Sequence, residues 1–159
     1  MTDDNIPGAW WAALNTGGAA RLRRCRRPLD AMLLPETLDL IRRLKWPRDR
    51  TDHAAILAIV LAHVKADDSR QIMRAVGRET FEDETALLSE VRFRRLITTE
   101  EPGELLAGLI RLVQIKDGAI NIRELANVLR WWTDRARQQW AASYYAAFTP
   151  TEREETENV

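Results

Sequence analysis

Residues 54–64 read Ala-Ala-Ile-Leu-Ala-Ile-Val-Leu-Ala-His-Val and form the longest apolar run of the chain. Its apolar side chains do not alternate with polar ones as they do in a half-buried strand, and on a helix they occupy nearly every side. A helix that is apolar all round must be covered by other elements on all its sides. We therefore expect it to lie at the centre of a helical bundle, with Asp52 as its N-terminal cap.

The sequence on both sides of this stretch is also helical in its periodicity, with almost no alternating strand pattern. The predicted helices cover about residues 10–14, 19–27, 35–46, 52–64, a short amphipathic turn after 66, then 84–98, 102–116, 122–132 and 133–148. Pro28 is expected to stop the second helix, because proline disfavours helical geometry in the residue before it. The sequence predicts an all-α fold with about eight to nine helices in two small packed bundles.

A weaker helical signal after residue 66 separates the two predicted bundles. Gly77 interrupts the pattern there, and the acidic segment 82–84 follows it. We expect an N-terminal helical bundle over residues 1–80 and a C-terminal helical bundle over residues 81–148. The acidic residues 149–159 are expected to form a disordered tail.

The basic residues carry the clearest functional signal. The formal net charge is zero, yet 21 of the 24 basic residues are arginine, and residues 5–150 hold 18 acidic and 23 basic side chains for a net charge of +5. The guanidinium group presents five donors in a planar fork that matches phosphate oxygens. Segregated charge of this kind permits a basic, phosphate-binding face on a chain that is neutral overall.

Other functional classes find little support in the sequence. His53 and His63 have no nearby partner in a zinc or triad pattern, and His63 is expected to be a packed core histidine whose hydrogen bonds are satisfied. Cys25 is single, so we expect no disulfide, a reducing compartment and a structural thiol. No stretch of about 20 apolar residues would span a membrane, and Met1 to Asp4 lacks the basic and apolar regions of a secretory signal. We expect a cytoplasmic, non-catalytic protein without metal or cofactor.

The first arginine cluster, residues 21–27, reads Arg-Leu-Arg-Arg-Cys-Arg-Arg. On a helix Leu22 and Cys25 are three residues apart and face the same side, so they are expected to face inward. The exposed side is then almost wholly cationic. Like charges at this spacing repel each other unless phosphates supply the counter-charge, so we favour phosphate binding over a solvated basic face.

The second cluster, residues 89–97, is expected to leave Arg92 and Arg95 exposed together. Its expected buried residues are Val91, Phe93, Leu96 and Ile97. Phenylalanine at this spacing is more often a core residue than a base-stacking platform, and we assign Phe93 to the core.

The third cluster, residues 130–140, mixes tryptophan with arginine, as single-strand binding grooves do. Its apolar members nevertheless recur every four residues, at Trp132, Ala136, Trp140 and Tyr144. That repeat is typical of a core stripe. We therefore assign the tryptophans to packing and place Arg135 and Arg137 at the surface.

Several short motifs occur in a fixed order along the chain. They are Trp11 to Leu14 with the Gly17-Gly18 turn and Leu22-Arg23-Arg24 before Pro28, then Ser89 to Leu96, Leu109 to Val113, and Leu129 to Gln139 followed by Trp140 and Tyr144-Tyr145. Together they resemble the CasB family, the small subunit of the type I-E CRISPR Cascade complex. The resemblance is collinear from about residue 10 to residue 148.

The resemblance implies an all-helical, non-catalytic subunit present twice in the complex as a head-to-tail pair. Its partners would be the backbone and large Cascade subunits, the crRNA, and target DNA including the displaced strand. The guide RNA reads the sequence, so the subunit needs only backbone contacts to stabilise the R-loop. By motif position, the foremost candidates for backbone binding are Arg24, Arg92, Arg111 and Arg135, followed by Arg23, Arg50, Arg95 and Arg137.

Two other readings remain open at the level of the sequence. One is a helical protein-interaction adaptor whose arginines pair with acidic partner surfaces, without direct nucleic-acid contact. The other is a small transcription regulator, although no helix-turn-helix with a clear recognition helix emerges.

Overall fold

The computed structural model describes residues 6–148, and helices dominate it. The α-helices are α1 Ile6–Ala13, α2 Thr16–Arg23, α3 Pro28–Met32, α4 Pro35–Leu44, α5 Thr51–Ala62, α6 Ile72–Val76, α7 Glu90–Thr98, α8 Pro102–Ile115, α9 Ile122–Trp131 and α10 Asp134–Tyr144. A 3-10 turn, Arg48–Arg50, precedes α5, and two short strands are β1 Ala66–Asp67 and β2 Ala119–Ile120. The all-α prediction is confirmed. The predicted acidic tail lies outside the described residues.

Helix α5 is the centre of the fold, as its composition predicts. All nine residues from Ala54 to Ala62 are buried, and α5 packs against α2, α3 and α4 as well as α8 and α9. Each fully buried Ile, Leu or Val side chain contributes about 1.5–3 kcal/mol. The cap prediction is wrong in detail: Arg50 occupies the N-cap position and Asp52 lies in the first turn.

A side-chain cap and a proline set two helix starts that the sequence did not predict. The Asn15 side chain accepts a 2.6 Å hydrogen bond from the Gly18 amide, so α2 begins at Thr16 and the two glycines lie in its first turn. The prediction that Pro28 stops the second helix is wrong, since α2 already ends at Arg23. Pro28 instead opens α3, where a missing amide hydrogen carries little penalty. The carboxylate of Asp30 accepts from the Arg26 and Arg27 amides, each at 3.1 Å. With α3, residues 6–148 contain ten α-helices, above the predicted eight to nine.

A two-residue parallel pair of strands was not predicted, since two residues are too few to show an alternation. Strand β1 after α5 pairs with β2 between α8 and α9, and the Lys65 amide donates to the Gly118 carbonyl at 2.8 Å. Gly118 has φ +89°, and a Cβ there would lie 2.8 Å from the Lys65 side chain. A glycine is therefore required at this crossing.

The two predicted bundles share one hydrophobic core in the described residues. Helix α5 contacts α8 and α9, and α6 contacts α10, so buried residues from both halves form one cluster. Residues 77–89 between α6 and α7 contain no helix or strand. The division at residue 80 stays a prediction.

Aromatic packing joins α7 to α10. Phe93 is buried, as predicted, and stacks on Tyr144 with ring centroids 4.0 Å apart, while Tyr145 meets the Phe93 ring edge-on at 5.7 Å. Val91 is 70% exposed, so its predicted burial is wrong. Because the buried face of α7 runs through Phe93 and Leu96, Val91 falls on the opposite side.

Candidate nucleic-acid interface

An arginine-lined cleft lies between the C-terminal end of α2 and helix α8. Its volume is about 600 Å³. The residues that line it are Arg23, Arg24, Cys25, Arg26, Gly103, Leu106, Ala107, Ile110, Arg111 and Gln114. We call it the α2–α8 cleft. None of these lining residues is acidic, and four are arginines.

Two buried side chains anchor the segment that carries three of these arginines. Leu22 is fully buried and Cys25 nearly so, which turns the neighbouring arginines outward as the helical spacing predicts. The Cys25 thiol lies 3.6 Å from the Arg21 carbonyl. Burial, together with the nearby Asp30 carboxylate, raises the pKa of the Cys25 thiol. The thiol is therefore protonated at neutral pH, which fits a structural residue better than a nucleophile.

Arg23 is held in place by the end of α5. Its Nη1 donates a 3.0 Å hydrogen bond to the carbonyl of Ala62, one of the carbonyls left free at the helix C-terminus. Arg24, Arg26 and Arg111 are exposed and have no ion pair within residues 6–148. The cleft thus gathers three unneutralised guanidinium groups and a fixed fourth.

A second cavity of about 530 Å³ continues the cleft. It shares Arg23 and Gln114 with the α2–α8 cleft and is also lined by His63, Lys65 and Asp117. His63 caps α5 and does not lie inside it. The expectation of a packed, satisfied histidine is wrong, because its buried Nε2 has no hydrogen-bond partner in the described part of the chain. Burial first, and Arg23 second, lower the pKa of His63.

Arg92 and Arg95 lie on α7, the helix that packs beside α8. Both are exposed. Helix α7 is held against α8 at Gly108, where an added Cβ would lie 3.0 Å from the Leu96 side chain. Neither arginine lines the α2–α8 cleft. Their neighbour Arg94 is already neutralised, because it pairs with Glu90 at 3.1 Å.

The remaining predicted arginines lie elsewhere. Arg135 is exposed and lines a separate cleft between α9 and α10. Arg50 is half-buried at the start of α5, near His53. Burial lowers the pKa of His53 most, and Arg50 and Arg137 lower it further, while the Nδ1–H donates to the Leu129 carbonyl at 2.8 Å. The structure thus brings together Arg23, Arg24 and Arg111, and leaves the other five apart from them.

Arg137 was predicted to lie at the surface, and this prediction is wrong. Its side chain is 14% exposed and pairs with both carboxylate oxygens of Glu100 at 3.0 Å. The guanidinium also donates to the Trp132 carbonyl and lies 4.8 Å from the centroid of that indole ring. These contacts fasten the start of α10 to the α7–α8 connection. They also lower the pKa of Glu100.

Arg26, Gln114, His63 and Lys65 were not among the predicted site residues. Arg26 belongs to the same cationic run as Arg23, and their three-residue spacing could have included it. Gln114, His63 and Lys65 line these cavities only because α5, β1 and α8 meet in the folded chain. No local sequence pattern indicates that meeting. Among the described residues no group of three or more potential metal-binding side chains occurs. None of the described helices is long and apolar enough to cross a membrane.

Comparison with known proteins identifies the family. The family model for the CRISPR-associated protein Cse2 matches residues 18–145. The chain belongs to the Cse2 family. This confirms the resemblance that the motifs carry under the family's other name, CasB. No curated protein matches this Cse2-family chain in a sequence comparison.

A solved structure has the same fold. It is a chain of the crystal structure of E. coli Cascade bound to a PAM-containing double-stranded DNA target. The TM-score is 0.65 at 21% sequence identity, over 87% of this Cse2-family chain and 91% of the other chain. At that identity the likeness establishes the shared fold.

Proposed function

We propose that this chain is the non-catalytic small subunit of a type I-E Cascade complex, and that it binds nucleic-acid backbone through the α2–α8 cleft. In this role it stabilises the R-loop and the displaced non-target strand. Its partners are the other Cascade subunits, the crRNA, the target DNA and a second copy of itself. Family membership and the likeness to a chain of E. coli Cascade support this assignment.

The convergence of Arg23, Arg24, Arg26 and Arg111 in one cleft carries the proposal. Two of the four foremost sequence candidates, Arg24 and Arg111, lie 87 positions apart in the numbering, and the fold places both on the same cleft. Side chains that lack an acidic partner leave the cleft with a positive potential that phosphates can neutralise. Contacts between guanidinium groups and phosphates do not depend on base sequence. Such contacts suit a subunit of a complex in which the guide RNA recognises the target sequence.

The candidates on other elements extend the same proposal. Arg92 and Arg95 lie on the helix next to α8, where they would continue a backbone contact beyond the cleft. Arg135 and Arg50 lie on separate surfaces, so they would reach a different stretch of nucleic acid. Arg137 is the weakest candidate, since Glu100 and Trp132 already occupy its guanidinium.

The test is target binding by the assembled complex with the double variant Arg24→Ala/Arg111→Ala. Exposed charge contacts of this type contribute roughly 0.5–1 kcal/mol each, so we expect R-loop affinity to fall about 5- to 30-fold at physiological salt. Complex assembly and thermal stability should not change, because both side chains are exposed. Affinity is measured by electrophoretic mobility shift or fluorescence anisotropy with a matched target duplex.

Arg42 and Arg43 provide the matched control. They are exposed arginines on α4 that both pair with Asp39, at 2.7 and 3.0 Å. The double variant Arg42→Ala/Arg43→Ala removes the same formal charge and should leave R-loop affinity within about twofold. Equal losses in the two double variants would mean that total charge matters and the cleft does not.

The structure also offers an observation that favours protein contacts. Leu29 on α3, Leu33 directly after α3 and Leu38 on α4 are exposed, and Leu33 is 77% exposed. If the subunit were an adaptor without nucleic-acid contact, Leu33→Ser would release it from the complex while Arg24→Ala/Arg111→Ala would leave R-loop affinity unchanged. Pull-down of the tagged subunit, followed by target binding, separates the two functions.

A further inference from the structure

A second cleft lies between α9 and α10, next to the segment 69–71, and Arg135 is the one proposed backbone-binding residue that lines it. Its volume is about 910 Å³. The side chains that matter here are Gln71, Arg123, Glu124, Trp131 and Arg135. We call it the α9–α10 cleft. It combines aromatic, cationic, acidic and amide side chains, whereas the residues that line the α2–α8 cleft include no aromatic or acidic side chain.

Trp131 gives the α9–α10 cleft an exposed aromatic surface. Its neighbour Trp132 adopts a left-handed backbone conformation, φ 40°, at the end of α9 and is buried with Trp140. Trp131 is 48% exposed, so the assignment of all the tryptophans to packing is wrong for this one. The Arg130 guanidinium lies 4.8 Å from the centroid of its ring, which holds the indole against α9. A partly fixed, exposed indole is a good stacking surface for a planar ligand.

The charged groups of the α9–α10 cleft favour an anion. Arg123 and Arg135 are exposed and have no ion pair within residues 6–148. Glu124 is the acidic residue among those lining the cleft, and its two oxygens accept hydrogen bonds from the Ile72 amide at 2.9 Å and the Trp140 indole at 2.8 Å. Its carboxylate is thus occupied by the protein, while the two arginines remain available to a phosphate.

Gln71 indicates that the ligand is more than a phosphate. Its Oε1 is buried and accepts no hydrogen bond from any group in the described part of the chain. An unpaired buried acceptor is unfavourable until a donor reaches it. A phosphodiester has no donor to offer, whereas the exocyclic amines and ring N–H groups of nucleobases do. The cleft therefore offers an acceptor for the base and cations for the phosphates.

We propose that the α9–α10 cleft binds an unpaired nucleotide of a single-stranded nucleic acid. The base stacks on Trp131 and donates a hydrogen bond to Gln71, and Arg123 with Arg135 holds the adjoining phosphates. Stacking on an aromatic ring tolerates every base, so this contact depends on bases without reading their sequence. The proposal goes beyond the proposed function, since a subunit that contacts only backbone would not distinguish a strand with bases from one without.

The test compares two single strands of about 20 nucleotides, one with bases and one in which abasic residues carry the same phosphates. Fluorescence anisotropy at low salt gives the affinity of the full-length chain for each. We expect wild type to prefer the base-containing strand. Trp131→Ala should lower the affinity for that strand by about 5- to 150-fold and leave abasic binding unchanged, whereas Trp131→Phe should keep most of the preference.

Phe81→Ala is the control, because Phe81 is an exposed aromatic residue that does not line either cleft. It should leave both affinities unchanged. Arg24→Ala/Arg111→Ala should lower the affinity for both strands equally, because both carry the same phosphates. An unchanged affinity in this variant would count against the backbone proposal and not against the α9–α10 proposal. Equal wild-type affinity for the two strands, absence of binding to the base-containing strand, or an unchanged preference in Trp131→Ala would each overturn the α9–α10 proposal.

Discussion

Arg135 and Arg137 are two residues apart at the start of α10, yet their guanidinium groups have very different surroundings. Arg135 is exposed at the edge of the α9–α10 cleft. Arg137 is largely buried, donates to the Trp132 carbonyl and lies over the Trp132 ring. Arginine can serve equally as a ligand-binding group and as a packing group, since its planar fork suits carboxylates, carbonyls and aromatic faces alike.

This contrast predicts opposite effects of two neighbouring substitutions. Arg137→Ala should lower the free energy of unfolding by about 1–3 kcal/mol, because it uncovers Trp132 and leaves its carbonyl without a donor. Loss of the ion pair with the exposed Glu100 should contribute little to this decrease in the free energy of unfolding. Arg135→Ala should change the free energy of unfolding by no more than about 0.5 kcal/mol. Urea denaturation measures both, and similar losses in the two variants would contradict the packing role of Arg137.

The two histidines predict a pH dependence of stability. Burial lowers the pKa of both His53 and His63 in the folded state, so the unfolded chain takes up protons first as the pH falls. Their contribution to stability is present above the unfolded pKa of about 6.5 and is lost below it. We expect the free energy of unfolding to be smaller at pH 5.5 than at pH 7.5.

The double variant His53→Gln/His63→Gln isolates this effect. Whatever the change in absolute stability, the difference between the two pH values should shrink, because glutamine does not titrate. An unchanged difference would show that other groups set the pH dependence over this range.

At the scale of elements, Gly77 fixes the end of α6 against α10. A Cβ at this position would lie 2.5 Å from the Tyr144 carbonyl and 2.6 Å from the Met73 carbonyl, both backbone atoms that cannot move aside cheaply. Gly77→Ala should therefore destabilise the fold by about 1–3 kcal/mol.

Gly17 is the matched control for this prediction. It lies in the first turn of α2, where an added Cβ would have no neighbour nearer than 3.5 Å, a flexible arginine tip. Gly17→Ala should stabilise the chain by about 0.4–1 kcal/mol, since alanine restricts the unfolded state. Thermal and urea unfolding of the two variants should shift in opposite directions, and a shift in the same direction would refute the close approach at Gly77.

The elements that the sequence predicted well are those whose patterns are long and local. Helices α8 and α9 begin where predicted, and α5 is central because its apolar composition permits no other position. Helix α3 and the strands were missed, since five or two residues give too little periodicity to recognise. Helix α7 begins at Glu90 and not near residue 84, because Ser89 caps it by accepting from the Arg92 amide.

Across the three-dimensional structure, the sequence predicted that arginines would form the candidate site, but it did not predict which other residues line it. The helical spacing within residues 21–27 was sufficient to predict a cationic face. Arg111 was predicted only through the family motif. His63 and Lys65 were not predicted, because they approach that face only after α5, β1 and α8 pack. Local patterns equally could not show that Glu100 neutralises Arg137, which lies 37 residues away.

The salt dependence of target binding by the assembled complex reports how many backbone phosphates the subunit neutralises. Each phosphate contact adds roughly 0.7–0.9 to the magnitude of the slope of log K against log salt concentration. If the α2–α8 cleft binds backbone phosphates, Arg24→Ala/Arg111→Ala should lower that magnitude by roughly 1.4–1.8 per subunit copy engaged, while Arg42→Ala/Arg43→Ala leaves it unchanged. A slope in the cleft variant equal to that of wild type would contradict phosphate binding in the α2–α8 cleft.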